Sequence, residues 1–229
     1  MNELSLSIKL KLEEKAFLIL FFGIGIVEIF AEFFSETIMV YFLKPLLMPI
    51  LAVTYWRVSK ERNKYFLMAL FFVLLANIFF ISKEYISIVI ASSFFFIYRG
   101  LVIYIVLCKD PVKNYLPVFL GSLPFLTAFG YLTYLTEDEL GSGFYIFLFQ
   151  IFFLSFLGGL AVSNYIMNDS RKNFWLLLNA VLFAVIQFII VLKNFYLSIQ
   201  LFQPVSMLMY LFAQYGLYRY MIISETEKK

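Results

Sequence analysis

Histidine is absent from the 229 residues, and Cys108 is the only cysteine. Without histidine there is no Ser–His–Asp or Cys–His catalysis and no His-ligated metal, so neither a metal nor a cofactor is implied. A lone cysteine cannot close an intrachain disulfide and carries no information about redox compartment. Charge is scarce too. Asp, Glu, Lys and Arg make up 14% of the chain, against about a quarter in soluble domains. The net charge of +3 comes from basic residues spaced between apolar runs, which excludes the clustered patch of a nucleic-acid binder.

What remains is apolar. The hydrophobic fraction is 63%, with 30 phenylalanines and 16 tyrosines, more than a water-soluble core of this length can bury. The apolar runs repeatedly reach the roughly 20 residues that cross a bilayer as a helix. The expected fold class is therefore all-α, a polytopic transmembrane bundle of about eight helices in one domain spanning 1–229. The spans are expected near Ala16–Phe34, Thr37–Trp56, Tyr65–Ser82, Ile86–Leu107, Leu116–Leu135, Phe144–Met167, Phe174–Leu192 and Ile199–Ile223. Residues 1–15 precede them as a polar or amphipathic segment. No small-x-small cleavage site follows it, so the first span is expected to be retained. Residues 224–229 form a charged tail, and Gly158-Gly159 offers close helix contact in the sixth span.

Basic residues set the orientation. Of the 18 lysines and arginines, Lys83 and Lys193 fall on one side of the spans, and Lys44 and Arg99 fall within them. The other basic residues all fall on the opposite side, including Arg57–Lys64 (RVSKERNK). The acidic stretch Glu137-Asp138-Glu139 shares the side of Lys83 and Lys193. Both termini are thus expected in the cytoplasm, with the chain in a bacterial inner membrane.

The second span carries the least usual stretch, Tyr41–Pro49 (YFLKPLLMP). An ammonium at membrane depth costs several kcal/mol unless it is paired or reaches water. Proline at 45 and 49 weakens the helix ladder there. Glu28 and Lys44 each lie eight positions from residue 36, in the outer turn. At about 1.5 Å per residue this places both roughly 10 Å below the outer boundary. Asn77, Gln150, Gln187 and Gln203 fall at about the same level, giving one polar layer from spans 1, 2, 3, 6, 7 and 8. Glu28 and Lys44 are the expected pair, and Arg99 is expected deeper, in the cytoplasmic half. Taken singly, the asparagines and glutamines read as hydrogen-bonding glue between helices. Charged Lys44 and Glu28 read equally as function or as packing. The aromatic residues read as lipid-facing or packing groups.

The eight-span plan, Lys44-Pro45-Leu46-Leu47-Met48-Pro49, and the pattern around Ala180–Phe195 resemble the YhhN, or lysoplasmalogenase-like, membrane family. Lys44 and Pro45 match the lysine-proline start of its second-helix motif. The resemblance implies hydrolysis of the vinyl ether of lysoplasmalogens, with two intramembrane aspartates supplying acid and base. At the corresponding positions this chain has Asn77, after Ala76, and Gln187, after Ile186. An amide supplies neither a carboxyl proton nor a negative charge.

The candidate catalytic residues are accordingly Glu28, Lys44, Asn77 and Gln187. The candidate binding residues are Lys44, Tyr41, Gln150, Gln203 and Arg99, and the expected partners are membrane lipids of lysophospholipid type. Three functions are in play: a lysolipid-binding protein with weak or lost cleavage, a hydrolase in which Glu28 replaces the missing acid, and a small transporter or structural membrane protein.

Overall fold

The protein is described by a computed structural model over residues 3–82, 84–140, 144–195 and 199–227. Lys83, the glycine-containing stretch 141–143, the connection 196–198 and the final two lysines lie outside the described residues, as do the side chains of 1–8, 137–140 and 194–195. Among the described residues there are eight helices and no strand. They are α1 Glu3–Phe33, α2 Thr37–Val58, α3 Lys64–Phe79, α4 Tyr85–Lys109, α5 Tyr115–Leu140, α6 Phe144–Met167, α7 Arg171–Phe195 and α8 Phe202–Thr226.

Several boundaries differ from the sequence reading, among them the end of α3 at Phe79 and α8, which starts at Phe202 and runs to Thr226 into the expected tail; three others have a clear local cause. α1 begins at Glu3 rather than Ala16, because ELSLSIKLKLEEK contains no breaker and consists mostly of good helix formers. α5 continues through the acidic stretch to Leu140, since Glu and Leu carry a helix as well as the apolar residues before them. α7 starts at Arg171, three residues early, with Asn173 held in its first turn by hydrogen bonds to the carbonyls of Asn164 and Asn168.

Consecutive helices form hairpins, α1 with α2, α3 with α4, α5 with α6 and α7 with α8. The hairpins join through α2–α3, α6–α7, α4–α6 and α1–α8. Six helices, all but α3 and α8, are long and apolar enough to cross a membrane. α3 is apolar but has only 16 residues. α8 is heavily enclosed, with Tyr218, Tyr220, Met221 and Gln214 shielded completely. On the outside the reverse holds. Ile38, Phe42 and Ile19 are each 73% exposed, Tyr134 75% and Ile166 76%, an apolar surface that water does not tolerate at this extent.

Close approach between α5 and α6 depends on small residues. A Cβ on Gly159 would run into the side chain of Ser122 and the carbonyl of Val118, and one on Gly158 would meet the ring of Phe125. The sequence expectation of tight contact at Gly158-Gly159 holds here.

One end of the bundle, the basic end, is laced together by charges. Lys172 on α7 reaches Asp110 after α4 at 2.7 Å, and the Tyr220 hydroxyl on α8 donates to the same carboxylate at 3.1 Å. Glu225 on α8 accepts from the Tyr55 and Ser59 hydroxyls at 2.8 and 2.7 Å and from the Lys60 amide at 3.0 Å. Glu14 on α1 accepts from the Tyr218 hydroxyl at 2.8 Å. At the far end, Gln200 donates to the Phe33 carbonyl at 2.8 Å. These ties alternate as an up-and-down bundle requires.

Candidate functional site

α2 stays helical through both prolines. Pro45 nevertheless leaves the Tyr41 carbonyl without its helix donor, and Pro49 does the same for Pro45. The buried stripe of α2 runs Val40, Lys44, Leu47, Met48, Leu51, Thr54 and Tyr55. Lys44 therefore faces the bundle. Tyr41 lies outside the stripe and is 51% exposed.

Lys44 Nζ stands 2.6 Å from Glu32 and 3.6 Å from Glu28, both on α1. Glu28 is thus within ion-pair reach of Lys44, as equal depth suggested, while Glu32 comes closer and accepts the hydrogen bond. Side-chain direction explains the difference. Helical side chains lean toward their own N-terminus, so Lys44 leans toward the far end while the α1 glutamates lean back to meet it. Glu28 is completely buried, and neither of its oxygens has a hydrogen-bond partner among the described residues. Lys193 on α7 extends the group, donating to Gln203 on α8 at 2.6 Å, and Gln203 also faces Glu32.

Arg99 shows the same lean. Its α-carbon is deep in α4, as expected, but its guanidinium is directed toward the far end and joins the polar layer. Nη1 donates to Gln150 Oε1 on α6, and Nη2 lies 3.4 Å from Gln187 Oε1 on α7. Gln150 is held in turn by donating to the Ser92 carbonyl at 2.7 Å. Arg99 and Gln150 are 4% and 7% exposed, while Gln187 is half-buried.

Between these groups lies a buried network that sequence reasoning missed. Asn77 on α3 donates to the Tyr210 hydroxyl on α8 at 2.7 Å, and Tyr210 contacts Met48 Sδ at 3.6 Å. The Tyr98 hydroxyl on α4 reaches Gln214 Oε1 at 3.5 Å, with Asn179 beside it. Glu28 lies close enough to Tyr210 to act on it electrostatically. Among so many tyrosines, nothing in the local sequence marks Tyr98 and Tyr210 as network members. Their only signal is that they share helices with Arg99 and Gln214.

The expected residues other than Tyr41 thus fall into three neighbouring groups: Glu28, Lys44 and Gln203 with Glu32; Asn77 with Tyr210; and Arg99 with Gln150 and Gln187. No group of three or more metal-ligating side chains occurs among the described residues. An open groove of about 810 Å³ lies elsewhere, at the basic end, beside Trp175 and Arg219.

The YhhN family profile matches residues 39–221, from the start of the lysine-proline stretch to the last turns of α8. The chain belongs to the YhhN family. With the long apolar helices, this makes it an integral membrane protein. No curated protein and no solved structure matches it. Within this YhhN protein the matched region contains Lys44, Asn77, Arg99, Gln150, Gln187 and Gln203. Glu28 and Glu32 lie on the helix before it.

Proposed function

We propose that this YhhN protein holds the head of a single-chain lipid of the lysophospholipid class in its polar layer, on the outer half of a bacterial inner membrane, and cleaves a vinyl ether weakly or not at all. One observation carries the reading. The two positions at which the family resemblance calls for carboxylic acids hold amides, and both amides are engaged: Asn77 donates to Tyr210, and Gln187 accepts from Arg99. Vinyl-ether hydrolysis starts by protonating carbon, which needs a positioned acid. Neither amide is one. Binding needs only polar groups that satisfy a head and apolar walls that accept a chain. The layer is rich in the first, and the bundle around it in the second.

A second reading rests on Glu28. It is an enclosed carboxyl beside Tyr210 whose oxygens have no hydrogen-bond partner among the described residues. A carboxyl so placed is a candidate acid for an active hydrolase.

Aldehyde release from a lysoplasmalogen by the purified protein separates the two. Little or no release by the parent, with gain of turnover in the Asn77→Asp, Gln187→Asp double variant, supports a binding protein with lapsed chemistry. Robust release by the parent that Glu28→Gln abolishes replaces that reading with the Glu28 hydrolase.

A further inference from the structure

The polar layer contains two cations in unlike circumstances. Lys44 has two carboxylates within 4 Å. Arg99 has none: among the described residues no carboxylate comes within ion-pair distance of its guanidinium. Its neighbours Gln150 and Gln187 are neutral amides, which accept hydrogen bonds but cancel no charge. Arg99 is also 4% exposed, so water does not solvate the charge. A guanidinium stays ionised and is costly to bury without a counter-charge.

The guanidinium is also incompletely used. Nη1 is taken up by Gln150, Nη2 makes a long contact of 3.4 Å to Gln187, and the Nε–H has no partner among the described residues. Nε and Nη2 share one edge of the planar fork. Two parallel N–H donors on that edge match two oxygens of a phosphate. Gln187 stands at this edge and is half-buried, less enclosed than Arg99 and Gln150. Gln150, fixed to the Ser92 carbonyl, holds the opposite edge in place.

We propose that Arg99, positioned by Gln150, is an anion site that takes the phosphate of its ligand on the Nε/Nη2 edge, with Gln187 at the entrance. This rests on the lipid-binding reading for the source of the phosphate, a lysophospholipid head. The recognition chemistry would serve a free phosphate equally. Lys44 is the poorer anchor, because its two glutamates already neutralise it and would repel an anion.

The test follows thermal unfolding of the purified protein in detergent with three probes: a lysophosphatidylethanolamine, a monoacylglycerol of the same chain length, and inorganic phosphate. The expected result is stabilisation by the lysophospholipid at about tenfold lower concentration than by the monoacylglycerol, the effect of one charge-assisted hydrogen bond. Arg99→Gln should erase that preference. Gln187→Glu guards against a variant that simply fails to fold. Its carboxylate gives Arg99 an internal counter-charge, so it should unfold at a higher temperature than the parent and still lose the preference. Equal stabilisation by the two lipids would overturn the anion site and leave lipid binding standing. Stabilisation by inorganic phosphate alone, lost in Gln187→Glu, would support the site and remove the lipid. No response to any probe would overturn both.

Discussion

Asn77 and Tyr210 meet across 2.7 Å, the amide donating to the hydroxyl and tying α3 to α8 at the centre of the bundle. A hydroxyl both donates and accepts, whereas an ionised carboxylate only accepts. The contact therefore survives exchange of Asn77 for aspartate if Tyr210 reverses its role and donates. The geometry is compatible with either residue at this position, and the amide is not needed to hold the fold.

Tyr210→Phe should cost about 1–3 kcal/mol, because it leaves the Asn77 amide buried and unpaired. Asn77→Asp should cost less. Asn77→Leu combined with Tyr210→Phe should recover part of the loss, since both polar partners go together. Chemical unfolding of the two single variants and the double in one cycle measures the coupling. Additive losses would show that the contact contributes nothing.

Lys44→Met should destabilise the protein by about 3–5 kcal/mol, because it leaves Glu28 and Glu32 enclosed without their cation. Adding Glu28→Gln and Glu32→Gln to Lys44→Met removes the uncompensated charge and should restore most of the stability. A triple variant as unstable as the single would mean that Lys44 acts through packing of its stem instead.

Glu225 secures the α2–α3 connection from the last turns of α8, accepting from Tyr55, Ser59 and the amides of Lys60 and Glu61. Its replacement by alanine should release that connection locally. Hydrogen exchange at the amides of residues 60 and 61 should rise, while amides in the middle of α2 and α3 keep their protection. Unchanged exchange at 60 and 61 would show that other contacts hold the connection.

The basic end should face the cytoplasm. In a Cys108→Ser background, a cysteine at Lys60 should resist a membrane-impermeant thiol reagent added to intact cells, and one at Glu36 should react. Both positions are exposed, so access is set by the membrane rather than by packing. The opposite pattern would invert the orientation drawn from the Lys/Arg distribution.

The spans were legible because their lengths match a bilayer and short polar turns separate them. The start of α1 was not. Residues 3–15 alternate polar and apolar groups, so they form a helix without looking like a membrane span. Within the site, rise per residue placed α-carbons well and side-chain ends poorly. Arg99 and Lys44 both carry their charge several ångströms along the helix from the backbone. That reach moved Arg99 into the polar layer and brought Lys44 closer to Glu32 than to Glu28. Depth also says nothing of angle: Tyr41 lies just off the buried stripe that its neighbour Lys44 occupies. Tyr98 and Tyr210 could not be singled out at all, because a hydroxyl that anchors a network and one that faces lipid headgroups look alike in sequence.

α8 is the helix least suited to dissolve in lipid on its own, yet it is packed against α1, α2 and α7. Tyr210, Gln214, Tyr218, Arg219 and Tyr220 on α8 meet partners from earlier in the chain: Asn77, Tyr98, Glu14 and Asp110. During biogenesis, then, α8 has no stable lipid-exposed stage. Its polar groups find their partners only once it packs against the helices before it. Assembly of the polar layer and completion of the fold are one event, and a chain that stops before α8 would leave Asn77, Tyr98 and Asp110 without those partners.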